Sequence, residues 1–248
     1  MSDETKTQAA TDPHPTARYS FIAEKNPREM VLLRGSGCRW RRCRFCNYHL
    51  DFSRDQAAND ALNAEVLAEV CGRTQILEVI NSGSFRDLSE ATLERIISVC
   101  QEKGITELHV ECHWQDRSAI APFRAQLVAA GIRLVVKGGV ETFDGAFREE
   151  IFDKGIPAET TPEELAAVFD ECCLLFGVEG ETLAQMERDV ATGLAHFKRI
   201  CINIMVDNGT PVKRDDAVVK LFMEHIYPKV RDDARVDVLL NNTDLGVG

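Results

Sequence analysis

Residues 30–46 read MVLLRGSGCRWRRCRFC, an apolar run followed at once by a loop with three cysteines. Cys38, Cys43 and Cys46 have the spacing C-x4-C-x2-C. Three clustered thiolates are typical ligands of a 4Fe-4S cluster that keeps one iron open, whereas zinc takes four protein ligands and would add His49. Ligand preference favours the iron-sulfur cluster. A zinc site and three unligated thiols are the alternatives that the loop alone leaves open.

The chain after this loop alternates between short apolar runs and helical patterns. ILEVINSGSF at 76–85 has the length and composition of a strand with its turn, and Leu88–Lys103 places apolar residues at helical spacing. Such alternation predicts right-handed βαβ units in a parallel sheet. About six such units predict a single α/β domain, a partial parallel (βα)6-type barrel with its site at the carboxyl ends of the strands.

Composition limits the compartment and the partners. Residues 1–28 are polar and include three prolines, so we expect a partly flexible N-terminal extension before a barrel domain at 29–248. We find no export signal and no apolar run of about 18 residues, and nine cysteines suit a reducing compartment. We therefore expect a cytoplasmic protein without a membrane span. The net charge of -11 disfavours stable nucleic-acid binding and favours a small-molecule substrate.

The cysteine loop and four later segments, at residues 81–85, 138–149, 174–182 and 202–216, resemble the radical S-adenosylmethionine superfamily, in its elongator-type and MiaB-type branch. That family carries C-x3-C-x2-C after the first strand, with an aromatic residue before the third cysteine; Phe45 stands there, and this loop has one extra residue. The segments NSGSF, GGVETFDGAFRE, LLFGVEGET and INIMVDNGTPVKRDD are similar, in order, to the family's later strand ends. The resemblance spans residues 29–213.

The resemblance implies two cofactors, a 4Fe-4S cluster on Cys38, Cys43 and Cys46, and S-adenosyl-L-methionine on its open iron. It also implies an external reductant such as flavodoxin or ferredoxin. Glu141 corresponds to the ribose contact and Arg148 is a candidate for the cofactor carboxylate, with a surface helix arginine as the alternative. Charges at strand ends must be paired or functional, which adds Glu111 and Lys137. The expected cofactor contacts are Phe45, Asn81, Ser82, Gly83, Ser84, Glu111, Lys137, Glu141 and Arg148.

The short chain, the cysteine spacing and the ending VLLNNTDLGVG resemble the bacterial queuine lyases. That resemblance implies radical cleavage of a carbon-nitrogen glycosidic bond, with queuine released from queuosine or its 5′-phosphate. A base rich in N–H donors with a cationic amine calls for carboxylates and amides in the pocket. The candidate substrate contacts are His113, Glu179, Asn203, Asp207, Asn241, Asn242 and Asp244.

Two other functions compete with this one, and no residue is assigned as catalytic. A radical enzyme of the same branch could act on another substrate such as tRNA, and a zinc-loaded loop would make the chain a non-enzymatic metal-binding module. His113 is more often a histidine satisfied by its neighbours than a ligand-binding group. The remaining cysteines that lie in apolar patterns are expected in the core: Cys71, Cys100, Cys172, Cys173 and Cys201.

Overall fold

The computed structural model describes residues 18–240, which form one curled eight-stranded sheet in the order β1 to β8. β1 pairs antiparallel with β2, and every later pair is parallel. The predicted α/β partial barrel is confirmed. The strands are β1 (Tyr19–Ile22), β2 (Arg28–Leu33), β3 (Ile76–Asn81), β4 (Glu107–Cys112), β5 (Arg133–Glu141), β6 (Glu171–Phe176), β7 (Arg199–Ile204) and β8 (Val236–Leu239).

The sheet begins earlier than the expected domain boundary at residue 29. Tyr19–Ile22 forms β1 and pairs antiparallel with Arg28–Val31 of β2. Part of the range expected as an extension is therefore the antiparallel edge of the sheet. Within the described residues no helix is both long and apolar enough to cross a membrane.

Helices connect the parallel strands on the outside of the sheet. The pattern at 88–103 forms a helix over Glu90–Lys103, because the Ser89 side chain accepts from Thr92 N–H at its start and Gly104 adopts φ 71° at its end. The helices are α1 (Gln56–Ala68), α2 (Glu90–Lys103), α3 (Ile120–Ala129), α4 (Gly145–Glu150), α5 (Pro162–Ala166), α6 (Leu183–His196), α7 (Asp216–Leu221) and α8 (Tyr227–Val230). Short 3-10 turns cover Tyr48–Leu50, Phe85–Asp87 and Trp114–Ala119, and a π-helical turn covers Phe222–Ile226.

The two faces of the sheet differ in chemistry. Side chains alternate along a strand, so Leu77 and Val79 of β3 and Leu108 and Val110 of β4 point outward and join the apolar core under the helices. At one level of the inward face, each of seven strands instead carries a charged or titratable residue. These residues, which we call the charged layer, are Arg28, Glu78, His109, Lys137, Glu171, Arg199 and Asp237.

Every member of the charged layer has an oppositely charged neighbour. Glu78 bonds to both Arg28 and Lys137. Arg199 bonds to Glu171 at 2.9 Å and to Asp237 at 2.9 Å, and His109 Nδ1 lies 3.5 Å from Glu171. Burial alone would raise the pKa of the Glu78 carboxyl, but the Lys137 and Arg28 cations hold it well below its usual range. The charged layer therefore closes the barrel interior beneath the strand ends.

Candidate active site

A cavity of about 630 Å³ lies inside the barrel above the charged layer. It is bounded by the carboxyl ends of the parallel strands and by the cysteine loop, the place where barrel folds bind ligands. Most of the residues expected at the site come together here. Those that line the cavity are Cys38, Cys43, Phe45, Cys46, Asn81, Ser82, Gly83, Glu111, His113, Lys137, Glu141 and Asn203.

The cysteine loop is held against the segment that follows α4. Trp40 Nε1 donates to the Asp153 carbonyl at 2.6 Å, and Arg44 N–H donates to the Phe152 carbonyl at 2.9 Å. Gly155 has φ 74°, and a Cβ there would lie 2.6 Å from the Trp40 ring. Only glycine meets both conditions, so the loop and this segment fit each other closely.

The loop arginines fasten the loop more than they line the site. Arg42 pairs with Asp153 at 3.1 Å, Arg39 lies 3.6 Å from Asp87, and Arg44 donates to the Glu150 carbonyl. Arg41 lines the cavity and stacks 4.0 Å over the Phe52 ring. The cationic composition of the loop is thus largely explained by contacts with neighbouring segments.

The three loop thiols line the cavity, and thiolate is the ligand type that the predicted cluster takes. None of the three forms a disulfide within residues 18–240, and burial raises the pKa of the Cys43 thiol to about 12, with the nearby Lys154 cation acting in the opposite direction. Within residues 18–240 no group of three His, Cys, Asp or Glu side chains has the closeness of a formed metal site. Three soft thiol donors are the ligand type of a cluster with one open iron. The His49 side chain, the fourth ligand of the zinc alternative, lies outside the described part of the chain.

Lys154 is a site residue that the sequence does not reveal. Its ammonium is buried, bonds to Glu141 Oε1 at 2.7 Å and lies 5.4 Å from the Phe45 ring centre. Burial would lower the pKa of Lys154, but Glu141 and Cys43 raise it above its usual range. Lys154 follows α4 in a loop rather than at a strand end. Its one sequence signal is its place between the apolar pairs Ile151-Phe152 and Ile156-Pro157.

Glu141 occupies a strained position at the end of β5. Its φ is 67°, a left-handed conformation that residues other than glycine rarely adopt, and the β5–β6 register shifts between Gly139 and Glu141. A Cβ at Gly139 would lie 2.7 Å from both Glu141 Oε1 and Lys154 Nζ. Strain of this kind typically costs about 1–3 kcal/mol and is found where a side chain must be aimed at a ligand.

Glu111 presents an uncommitted carboxyl group to the cavity. Among the described residues none forms a hydrogen bond or ion pair with this carboxyl. Burial raises its pKa to about 7, against the opposing effect of Lys137. Lys137 itself, also expected as a cofactor contact, is engaged with Glu78. Glu111 is therefore free to accept hydrogen bonds from a ligand.

The segment NSGSF wraps around the cysteine loop. Asn81 Nδ2 donates to the Ser84 carbonyl at 2.8 Å, while Asn81 Oδ1 is buried and has no hydrogen-bond partner among residues 18–240. A Cβ at Gly83 would lie 2.9 Å from Cys38 Cα, so glycine permits the contact. Ser84 lies outside the cavity wall, where it caps the 3-10 turn at Phe85–Asp87.

His113 lines the cavity, but both of its ring nitrogens are used. Nδ1 accepts from Gln115 N–H at 3.2 Å, so Nε2 carries the hydrogen and donates to the Lys154 carbonyl at 2.9 Å. Burial and the Lys154 cation lower the pKa of His113 to about 4. The ring stacks with Trp40 at 5.9 Å. These contacts favour the structural alternative, a neutral histidine that joins the cysteine loop to Lys154.

Several expected contacts lie away from the cavity. The Arg148 guanidinium is fully buried and donates to the carbonyls of Thr142 at 3.2 Å and Pro157 at 3.0 Å, which supports the turn after Glu141. Glu179 and Asp207 are exposed on loops beyond β6 and β7. These positions count against direct ligand contacts from Arg148, Glu179 and Asp207. Asn241, Asn242 and Asp244 lie outside the described residues.

Two cysteines expected in the core face the cavity instead. Cys173 and Cys201 line its wall on β6 and β7, whereas Cys100 and Cys172 are buried away from it. Cys71 is exposed beside α1. The sequence could not separate Cys172 from Cys173, because both lie in one continuous apolar run.

The solved structures include a close match to this chain. A queuine lyase from Clostridium spiroforme bound to SAM and queuine superposes with a TM-score of 0.89 and 38% sequence identity, over 94% of this chain and 99% of that chain. The chain belongs to the queuine lyase family. No family model and no curated sequence matches the chain. Membership of the queuine lyase family confirms the radical S-adenosylmethionine fold; the elongator-type and MiaB-type branch stays a prediction.

Proposed function

We propose that this protein is a radical S-adenosylmethionine lyase that releases queuine from queuosine or queuosine 5′-phosphate. The match to a queuine lyase over nearly the whole chain carries the proposal. The three cavity thiols, the strained Glu141 and the uncommitted Glu111 supply the residue types that such chemistry needs. The reductant, such as flavodoxin or ferredoxin, is a further prediction.

Cys38, Cys43 and Cys46 would hold a 4Fe-4S cluster, and the cavity beside them would admit S-adenosylmethionine. When bound, this pair supplies one-electron cleavage of a carbon-sulfur bond and hence a carbon radical that abstracts hydrogen. The protein's own task is to hold the ligands in one orientation and to exclude water. The loop contacts of Trp40 and Arg44 keep the three thiols on one wall for that purpose.

Glu141 is the proposed contact for the cofactor ribose, and Lys154 fixes it. The 2.7 Å ion pair leaves the second Glu141 oxygen available to accept from hydroxyl groups. The Lys154 ammonium also faces the thiols, where a cation stabilises a negatively charged cluster. Asn81 Oδ1 and the chain at Ser82 and Gly83 are the proposed contacts for the methionine end of the cofactor.

Asn203 is the predicted contact for the substrate base, and we now also assign to the base Glu111, which the sequence placed among the cofactor contacts. Two carboxylate oxygens can accept from adjacent N–H donors, and the Glu111 carboxyl has no competing partner among the described residues. Asn203 lies at the end of β7 and donates to the Leu174 carbonyl at 3.5 Å, a long bond that leaves its amide available. Asn241, Asn242 and Asp244 stay predicted contacts.

The direct test is product analysis under anaerobic conditions. The chain is reconstituted with iron and sulfide and incubated with S-adenosylmethionine, dithionite and queuosine or its 5′-phosphate. We expect queuine and 5′-deoxyadenosine to appear together by mass spectrometry, and guanosine to react far less. Queuine release in air by iron-free protein would replace the proposal with a hydrolase. Turnover with another nucleoside would keep the radical chemistry and change the substrate.

Iron content separates the cluster ligands from the other cysteines. Cys43→Ala should abolish cluster loading, because all three thiols are needed to leave a single open iron. Cys172→Ala is the matched control, since this thiol is buried away from the cavity. Stoichiometric zinc without iron uptake in the wild-type chain would contradict the assignment.

A further inference from the structure

Cys173 and Cys201 form a pair that the proposed reaction does not use. They stand directly opposite each other in the parallel pairing of β6 with β7. Both side chains line the cavity, so the two thiols lie on the same face of the sheet. Neighbouring strands are about 4.8 Å apart, which falls within the Cα separation of about 4.4–6.8 Å that a disulfide spans.

The surroundings of the pair give its two thiols different characters. The neighbouring Cys173 thiol and the nearby Lys137 cation lower the pKa of Cys201, although burial acts in the opposite direction. The neighbouring Cys201 sulfur and burial raise the pKa of Cys173. Glu78 and Asp237 also face Cys201 and disfavour its thiolate. The arrangement resembles a nucleophilic thiol beside a resolving thiol, the pattern of redox-active pairs.

We infer that Cys173 and Cys201 are a redox-active thiol pair in the wall of the ligand cavity, which closes to a disulfide when a small organic disulfide enters. The Cys201 thiolate attacks one sulfur of the oxidant and releases one thiolate. The Cys173 thiol then loses its proton, and its sulfur displaces the second thiolate from the mixed disulfide. The two cysteines are oxidised by two electrons, and the oxidant is reduced to two thiols.

Disulfide formation between Cys173 and Cys201 would change the chemistry of the cavity wall. The two thiols share this wall with Leu175 and Asn203. Forming the disulfide removes both S–H donors from the part of the wall that lies near Lys137. The oxidation state of the pair therefore sets the polarity of a surface that any ligand in the cavity must meet.

Peptide mapping tests the pair in the full chain. Protein reconstituted with iron and sulfide is treated anaerobically with hydroxyethyl disulfide, alkylated and digested with trypsin. We expect a cross-link between peptides 155–188 and 200–213 that dithiothreitol removes. Cys172→Ser should keep the cross-link, because that side chain is directed away from the cavity, whereas Cys173→Ser and Cys201→Ser should each lose it.

A second reagent checks the result without an oxidation step. Phenylarsine oxide binds two adjacent thiols. One equivalent should therefore block the cross-link in the wild-type chain and in Cys172→Ser. Circular dichroism checks that the variants are folded. Failure of both reagents to engage the pair in folded protein would overturn the inference. So would an equal yield of cross-link in folded Cys173→Ser.

Discussion

The two levels of the barrel interior hold charge in opposite ways. In the charged layer each carboxylate is matched by a cation, as Glu78 is by Lys137 and Arg28. At the strand ends above it, Glu111 has no hydrogen-bond or ion-pair partner among the described residues, and Glu141 is paired with Lys154 but held in a strained conformation. A satisfied buried charge stabilises one structure, whereas an unsatisfied one at a cavity is maintained for a ligand. The contrast separates structural from functional charges on the same strands.

The largest effect should come from breaking the charged layer. Glu78→Gln leaves Lys137 and Arg28 without their shared anion, so we expect the free energy of unfolding to fall by about 3–5 kcal/mol. Urea denaturation measures this loss. Glu224→Gln, which breaks the exposed pair with Lys220, is the control and should change stability by at most about 0.5 kcal/mol. Equal losses in the two variants would mean that the layer is not a connected network.

Replacing Glu111 should raise the free energy of unfolding at high pH, whereas replacing Glu78 lowers it. Its pKa is raised from the ordinary value of 4.5 to about 7, so the folded state holds its proton more tightly than the unfolded state does. The wild-type chain should therefore lose about 2 kcal/mol of stability as the pH rises through this window, after allowance for water in the cavity. Glu111→Gln should lack that loss and be the more stable protein at pH 8. If the stability of the wild-type chain and that of Glu111→Gln changed with pH in the same way, Glu111 would have to be paired.

Glu141 allows strain and binding to be separated. Glu141→Ala and Glu141→Gly both remove the proposed ribose contact, and each should weaken S-adenosylmethionine binding by about 2 kcal/mol in calorimetry with the cluster retained. Only the glycine variant relieves the φ of 67°, so it should be about 1 kcal/mol more stable than the alanine variant. Unchanged affinity in both would place the ribose elsewhere.

The smallest expected effect concerns the anchoring of the loop. Trp40→Phe keeps a ring against His113 but removes the hydrogen bond to the Asp153 carbonyl. We expect a loss of about 1 kcal/mol in thermal unfolding and the same final iron content. Complete loss of iron would show that this single bond positions the thiols.

The sequence predicts the fold well because alternating strands and helices leave few topologies. It also predicts strand-end residues such as Glu111 and Asn203, since parallel strands deliver their carboxyl ends to one edge. It does not predict the charged layer, because which face of a buried strand curls inward depends on the closed sheet. Lys154 is missed for a related reason: it reaches the site from a loop, and its contact with the Phe45 ring joins residues more than 100 positions apart. Arg148 is the opposite case. Its place seven residues after Glu141 predicts a cofactor contact, whereas its guanidinium donates to the Thr142 carbonyl and supports a turn.

The bond between Arg28 and Asp237 has a consequence for how the chain folds. These residues are separated by 209 positions and join the first parallel strand to the last. Until β8 is in place, Arg28 and Arg199 share one anion fewer, so a partly assembled barrel carries excess buried positive charge. Contacts of such long range form slowly, because a large loop must close before they are made. Pairing of β8 thus completes the charge balance of the barrel. We therefore expect the whole barrel to fold cooperatively.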